Sequence, residues 1–241
     1  MPYQRSLPHT WQISGKDLGV LQRKDFCPRC FWISRYHARP WQIFPGIFSS
    51  IDSYTKRLIS HHFTTAGNPP PWVAGLKDIV GLYPTETASS FFMIDPVTRI
   101  KLTGAPDVIF KLTDGTLMIA DYKTARFTEA QDEMSPVYEV QLNAYREIAR
   151  ALKWPKVSRL ALIYTEPPEK DDPIHPEFHS PLGFVMNFRS RFKEIEIRPK
   201  LTADLLKKAD QIFHLPKPPK SNEKCKDCEK LDAIISSTHS I

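Results

Sequence analysis

The order of elements legible in this chain, a helix, three strands, a second helix and a further strand, predicts an α/β or α+β domain. Three observations carry that prediction. Residues 47–63 and 136–152 repeat apolar side chains at helical spacing. Between them, two apolar β-forming runs flank a turn at Thr113-Asp114-Gly115, which reads as an antiparallel hairpin. After them, Arg159 to Tyr164 is almost continuously apolar, as a central strand buried on both faces would be.

The elements follow in order. Residues 1–45 read as an arm with aromatic anchors Trp11, Phe31, Trp32 and Trp41, mostly core, with one or two suited to stacking on bases beside basic groups. The first helix places Ile47, Ile51, Tyr54, Leu58 and Ile59 on one face, and AGNPPPW then breaks the chain. Phe91 to Ile94 is the first core strand, followed by the hairpin strands Val108-Ile109-Phe110 and Leu117-Met118-Ile119-Ala120. The second helix carries Val137, Val140, Ala144, Ile148 and Leu152 as its apolar stripe. Beyond the Arg159–Tyr164 strand, TEPPEKDDPIHPE reads as a mobile loop and Phe184 to Ile197 as another strand. Pro199 to Phe213 reads as a helix burying Leu201, Leu205, Ala209 and Ile212, and Pro216 to Pro219 as a stiff linker. The 22 prolines concentrate in these connections, which is why they separate the elements so cleanly.

Composition sets the outer limits. Hydrophobic content of 41% and charged content of 25% suit a soluble globular chain large enough to bury a core. No apolar stretch approaches the ~20 residues of a membrane span. The start, MPYQRSLPHTWQ, has no apolar signal region, so a cytoplasmic, reducing location is expected. The net charge of +6 and pI near 9.1 suit a polyanionic partner. Arg23, Lys24, Arg29, Arg35 and Arg39 surround one cysteine pair, and Lys217, Lys220, Lys224 and Lys226 surround the other. If the pairs meet, these groups form either one basic surface along a phosphate backbone or a scatter of solvated charges.

The chemistry lies between residues 104 and 145, in GAPD, IADYKTA and QLNAY. Asp107 enters the first hairpin strand and Asp121 leaves the second, so the turn brings both carboxylates to one open end. Hard oxygen ligands favour Mg²⁺ or Mn²⁺ over zinc. Strand alternation puts Asp121 and Lys123 on one face and Tyr122 on the other. Lys123 is then placed to orient an attacking water and offset charge on a phosphate. Gln141 and Tyr145, at i and i+4, project from one helix face and can position a phosphate or the DNA backbone. Singly, Asp-x-Lys or a Gln/Tyr pair is ordinary. Their assembly in this order is not.

All four cysteines fall into two C-x-x-C pairs, Cys27 with Cys30 and Cys225 with Cys228. The pairs read as a four-thiolate site or, alternatively, as two disulfides or unrelated thiols, and by spacing a four-thiolate site can hold zinc or an iron–sulfur cluster equally well. Either would clamp the two ends of the chain together.

The run GAPD…DYK…QLNAY resembles the PD-(D/E)XK nuclease superfamily, in particular its RecB-like branch, which includes the iron–sulfur CRISPR adaptation nucleases. The resemblance implies a restriction-endonuclease-like α/β core, a mixed sheet flanked by helices, over residues 46–215. An N-terminal arm (1–45) and a C-terminal arm (216–241) would be joined through the cysteines. It implies that Asp107 and Asp121 bind metal with the Tyr122 carbonyl, that Lys123 is catalytic, and that Gln141 and Tyr145 belong to the active-site helix motif. It tips the cysteine site towards 4Fe–4S, with structural Zn²⁺ as the alternative. The chain departs from the branch in two ways. The early metal-binding His is missing near Gly46 to Ser50, where Asp52 can substitute. The cysteines also divide two and two, where the branch has one early and three late. The function expected is a metal-dependent DNA nuclease, an exonuclease on ends or single strands with helicase or integrase partners. The alternatives are a nucleic-acid-binding protein with a degenerate site and a restriction-type endonuclease.

Overall fold

The computed structural model describes residues 11–36, 46–73, 76–87, 89–125 and 134–238. The first half runs β1 (Gln12–Ser14), α1 (Gly15–Gly19), α2 (Pro28–Ser34), α3 (Gly46–Ala66), β2 (Ile79–Leu82), β3 (Phe92–Ile94) and β4 (Lys101–Thr103). The second half runs β5 (Val108–Leu112), β6 (Leu117–Lys123), α4 (Ser135–Ala151), β7 (Val157–Glu166), β8 (His179–Ser180), β9 (Gly183–Phe184), β10 (Arg189–Ile195), α5 (Leu201–Phe213) and α6 (Lys226–Thr238).

Five strands form the main sheet in the order β10-β7-β6-β5-β2, with β6 and β7 parallel and the other pairs antiparallel. This is the mixed sheet that the resemblance to the PD-(D/E)XK superfamily implies. The hairpin pairs Val108 with Ala120 and Phe110 with Met118, and Gly115 takes the positive φ of 79° that its turn demands. Alternation then sorts side chains by face. Ile109, Leu117, Ile119 and Leu162 join α4 and α5 in one apolar cluster, while Phe110, Met118, Ala120 and Ile163 join Ile59 of α3 in another. Helices therefore cover both faces.

The main helix stripe behaves as its spacing requires. Val137, Val140, Ala144 and Ile148 are essentially fully buried, the valine and isoleucine side chains worth about 1.5–3 kcal/mol each against exposure. Helix α1 lies so close to α4 that a Cβ at position 19 would stand 2.9 Å from the Val137 Cα, which only glycine permits. Buried Asn143 ties α4 to the segment after β10. Its Nδ2 donates to the Glu196 carbonyl at 3.0 Å, and its Oδ1 accepts from the Arg198 N–H at 2.7 Å. Asn143→Ala should cost about 1–2 kcal/mol, because it leaves a buried side-chain site empty and strips partners from two part-buried backbone groups. An unchanged denaturation midpoint would remove that assignment.

Two expectations are corrected. Phe92–Ile94 is not part of the main sheet but joins a separate sheet, β1-β4-β3, where β1 runs parallel to β4. In the N-terminal segment, Trp11, Ile13, Leu18, Leu21 and Phe31 share one cluster with α4 and α5. The face predicted for α3 is only partly covered: Ile47 is 62% and Tyr54 59% exposed, Ile51 and Leu58 are half-buried, and only Ile59 is buried. The physical reason is that this helix turns polar groups, not its apolar stripe, towards the sheet end, as its lysine contacts below show. The acidic stretch after β7 carries a short 3-10 turn at Pro176–Phe178 and the β8–β9 hairpin. Trp41 and Arg39 lie outside the described residues. Among the described residues, no helix is long and apolar enough to cross a membrane.

Candidate active site

The two carboxylates and the lysine meet at the end of the main sheet where β6 finishes. Asp107 stands immediately before β5, and its Oδ2 accepts a hydrogen bond from the Tyr122 N–H at 2.8 Å. That bond links the entry of one strand to the exit of the other, so the open-end placement follows from the hairpin register. Asp121, 3% exposed, faces α4 and is paired with the Lys123 ammonium. Tyr122 points to the opposite face, among Phe110, Ala120 and Ile163, and its buried hydroxyl has no hydrogen-bond partner among the described residues.

Gln141 and Tyr145 come from α4 and are turned inward, 6% and 5% exposed. The Gln141 Nε2 lies 3.3 Å from Asp121 Oδ1 and donates to the Tyr145 hydroxyl at 2.7 Å. The Gln141 Oε1 accepts from the Lys123 ammonium at 3.3 Å, and that ammonium sits 4.0 Å from the Tyr138 ring centre. The pair therefore holds Asp121 and Lys123 in place rather than presenting itself to solvent. Gly104 of the GAPD run explains itself here. A Cβ at that position would overlap Tyr145 Cε1 and stand 2.6 Å from Cδ1. Gly104→Ala should push the ring, and with it the Gln141 amide, at a cost of about 1–3 kcal/mol. A thermal or urea midpoint equal to wild type would contradict that close approach.

Sequence reasoning missed Lys56. From α3 it bridges two carboxylates, Asp52 at 2.8 Å and Asp107 at 2.7 Å. The only advance signal was the i, i+4 spacing of Asp52 and Lys56 on a predicted helix. His61 and His62 take no part in this group: His61 is exposed, and His62 contacts the Asn68 carbonyl and Trp72.

Electrostatics follow from crowding. Burial is the largest influence on Asp121 and pushes its carboxyl up to about 7, Lys123 pulls the other way, and neighbouring Asp107 adds to the rise. Tyr145 is raised well above the usual phenol range by burial and then by the Asp121 charge. Asp107 and Asp121 repel each other, and Asp52 lies beyond them, joined to Asp107 through Lys56. Here Lys56 and Lys123 supply the positive charge. Among the described residues, only the cysteines bring three or more ligand atoms within 4.8 Å of one another.

That second group lies between α2 and α6. Cys27 caps α2 with Cys30 one turn in, and Cys225 precedes α6 with Cys228 one turn in. The Arg29 guanidinium forks onto the Asp232 carboxylate at 2.8 and 2.6 Å, tying the two helices together. Several of the basic groups counted as a surface are thus engaged: Arg23 with Asp25, Arg29 with Asp232, and Arg35 with the Phe213 carbonyl. Burial works against the Cys27 thiolate, yet the N–H groups of Cys30 and Asn222 bring it down to about 7, while burial pushes Cys228 up to about 12.

No curated protein matches the chain. Among solved structures it is similar to the crystal structure of SSO0001, with 14% sequence identity and a TM-score of 0.45, over 92% of this chain and 84% of that one. The model of the PD-(D/E)XK nuclease superfamily matches residues 61–232. That stretch exceeds half of the sequence and takes in Asp107, Asp121, Lys123, Gln141 and Tyr145, and the chain belongs to the PD-(D/E)XK nuclease superfamily.

Proposed function

We propose that the protein is a metal-dependent deoxyribonuclease of the RecB-like kind, acting as an exonuclease on DNA ends or single strands. The observation that carries this reading is the convergence of Asp107, Asp121 and Lys123 at one sheet end, braced by Gln141 and Tyr145. Asp107 and Asp121, with the Tyr122 carbonyl and with Asp52 in place of the missing His, would hold Mg²⁺ or Mn²⁺. When bound, such an ion supplies charge stabilisation at the phosphate and a more acidic water.

The chain's own residues do the rest. Lys123, held against Asp121 and Gln141, orients the water and offsets charge on the phosphate. Gln141 fixes both of those groups, and the Tyr145 hydroxyl fixes Gln141. Lys56, held between Asp52 and Asp107, keeps these carboxylates together until a stronger cation competes for them. A cavity of about 450 Å³ beside Asp107, lined by Lys56, Tyr83, Thr85 and Tyr122, offers room for the nucleotide at the cut. A cytoplasmic role in repair, recombination or the processing of phage or CRISPR DNA, beside a helicase or integrase, suits this chemistry.

The test is cleavage of end-labelled single- and double-stranded DNA, with an RNA arm, in Mg²⁺ or Mn²⁺, comparing wild type with Asp121→Asn. Cleavage of DNA that is lost in the variant supports the reading, and the product ladder gives polarity. A folded wild type that cuts nothing in either ion, yet binds DNA with a steep salt dependence, would favour the degenerate-site alternative.

A further inference from the structure

The cysteine cluster has a size, and the size discriminates between its possible occupants. The Cys27 and Cys228 sulfurs are 3.7 Å apart, and Cys30 lies 3.4 Å from both Cys225 and Cys228. All four sulfurs fall within 4.8 Å of one another. A single tetrahedral ion with bonds of ~2.3 Å places its four thiolates about 3.8 Å apart. A 4Fe–4S cubane is different in kind. Each thiolate binds a separate iron from outside the cube, so the four sulfurs must stand apart by more than the width of the cluster itself. The space enclosed here holds one ion and not eight atoms.

The surroundings hold the sulfurs at that spacing independently of any metal. Separating the pairs means moving α2 away from α6. That movement would break the Arg29–Asp232 fork, the Asn222 side-chain bond to the Phe26 carbonyl at 3.2 Å, and the Asn222 N–H contact to the Cys27 sulfur at 3.4 Å. Phe31 of α2 is also stacked on Phe213 of α5 at 4.7 Å, which anchors the first pair to the core. The charge balance suits one ion as well. Four thiolates around a dication leave two negative charges, and Arg29 feels both Cys27 and Cys228, while N–H groups of Cys30 and Asn222 point at Cys27.

We infer that the four cysteines hold a single tetrahedral zinc ion, a departure from the 4Fe–4S cluster that the RecB-like resemblance implies. The inference concerns the α2–α6 clamp alone and stands or falls separately from the nuclease reading.

The test is metal content and spectrum of the full chain, expressed in iron-replete, zinc-poor medium and purified without oxygen. The expected result is zinc stoichiometric with the chain, iron near background, and no broad visible absorption. Incubation with ferrous iron and sulfide should leave the spectrum unchanged. Cobalt(II) exchanged into the site should give the intense visible bands of a tetrahedral thiolate complex, and Cys228→Ser should abolish them. Four irons with matching sulfide and a cubane absorption, before or after incubation, would overturn the inference. So would a single iron, or a chain that folds with the site empty and takes up no cobalt. None of these readouts depends on DNA cleavage.

Discussion

Asp121→Asn and Lys123→Ala should each slow DNA cleavage by on the order of 10³-fold, the equivalent of about 4 kcal/mol in the barrier. Asp121 is the carboxylate most deeply enclosed at the sheet end, and it has the least freedom to be replaced by a neighbour. In the asparagine variant the shape and the contact with Gln141 survive, while the charge needed for a divalent ion is gone. The fold should tolerate this change. Burial already opposes the Asp121 charge, so losing that penalty offsets part of the lost pairing, and the Lys123 ammonium keeps the Gln141 carbonyl oxygen and the Tyr138 ring. In Lys123→Ala the carboxylate loses its nearest cation, and the Gln141 carbonyl oxygen loses its donor. Both variants should keep wild-type circular dichroism and their cysteine-bound metal. Cleavage at near wild-type rate in either purified, folded variant would strike that residue from the proposed site.

Removing the metal from the cysteine site should lower the melting temperature by roughly 8–16 °C, for a loss of about 4 kcal/mol in a chain of this size. Structural zinc contributes on the order of 10–16 kcal/mol in zinc-finger peptides that have no other core. This chain needs less, because Phe31 and Phe213 and the Arg29–Asp232 fork already bind the ends of the chain. The loss should be local first. Amide exchange should rise in α2 and α6, while β5, β6 and α4 stay protected. The measurement is a melt of the protein treated with a strong chelator, compared with the same sample after metal is returned. A melting temperature that does not move, with metal loss verified, would leave the cysteines without a structural role. DNA cleavage below the new transition should survive, since the carboxylate site shares no ligand with the clamp.

The strongest local patterns were legible because they need only neighbours in sequence. The Thr113–Gly115 turn defines a hairpin, and the hairpin alone brings Asp107 beside Asp121. Strand alternation then separates Lys123 from Tyr122. The apolar stripe of α4 fixes which face is buried, and so sends Gln141 and Tyr145 towards the same spot. What was not legible depends on distant partners. Strands β1 and β4 of the small sheet are three residues long, too short for a periodic signal, and β1 finds its parallel partner only across the chain, so β3 was legible as a strand but not its sheet. Helix α3 misled because apolar spacing shows that a face exists, not that anything covers it. Nothing near Asn143 in sequence marks its role, because the groups it bonds belong to Glu196 and Arg198 on a distant segment.

By itself the sequence determined the chemistry on offer: two carboxylates and a lysine on a hairpin, a Gln/Tyr helix, and thiols in two pairs. Covalent order and side-chain period suffice for that, since each motif lies within one or two adjacent elements. Tertiary structure alone decided what those groups touch. It placed Lys56 between Asp52 and Asp107, turned Gln141 inward to Asp121, and set the distance between sulfurs that C-x-x-C spacing leaves open. Those are distances between elements far apart in the chain, set by how helices and sheets pack, and packing depends on the whole core at once.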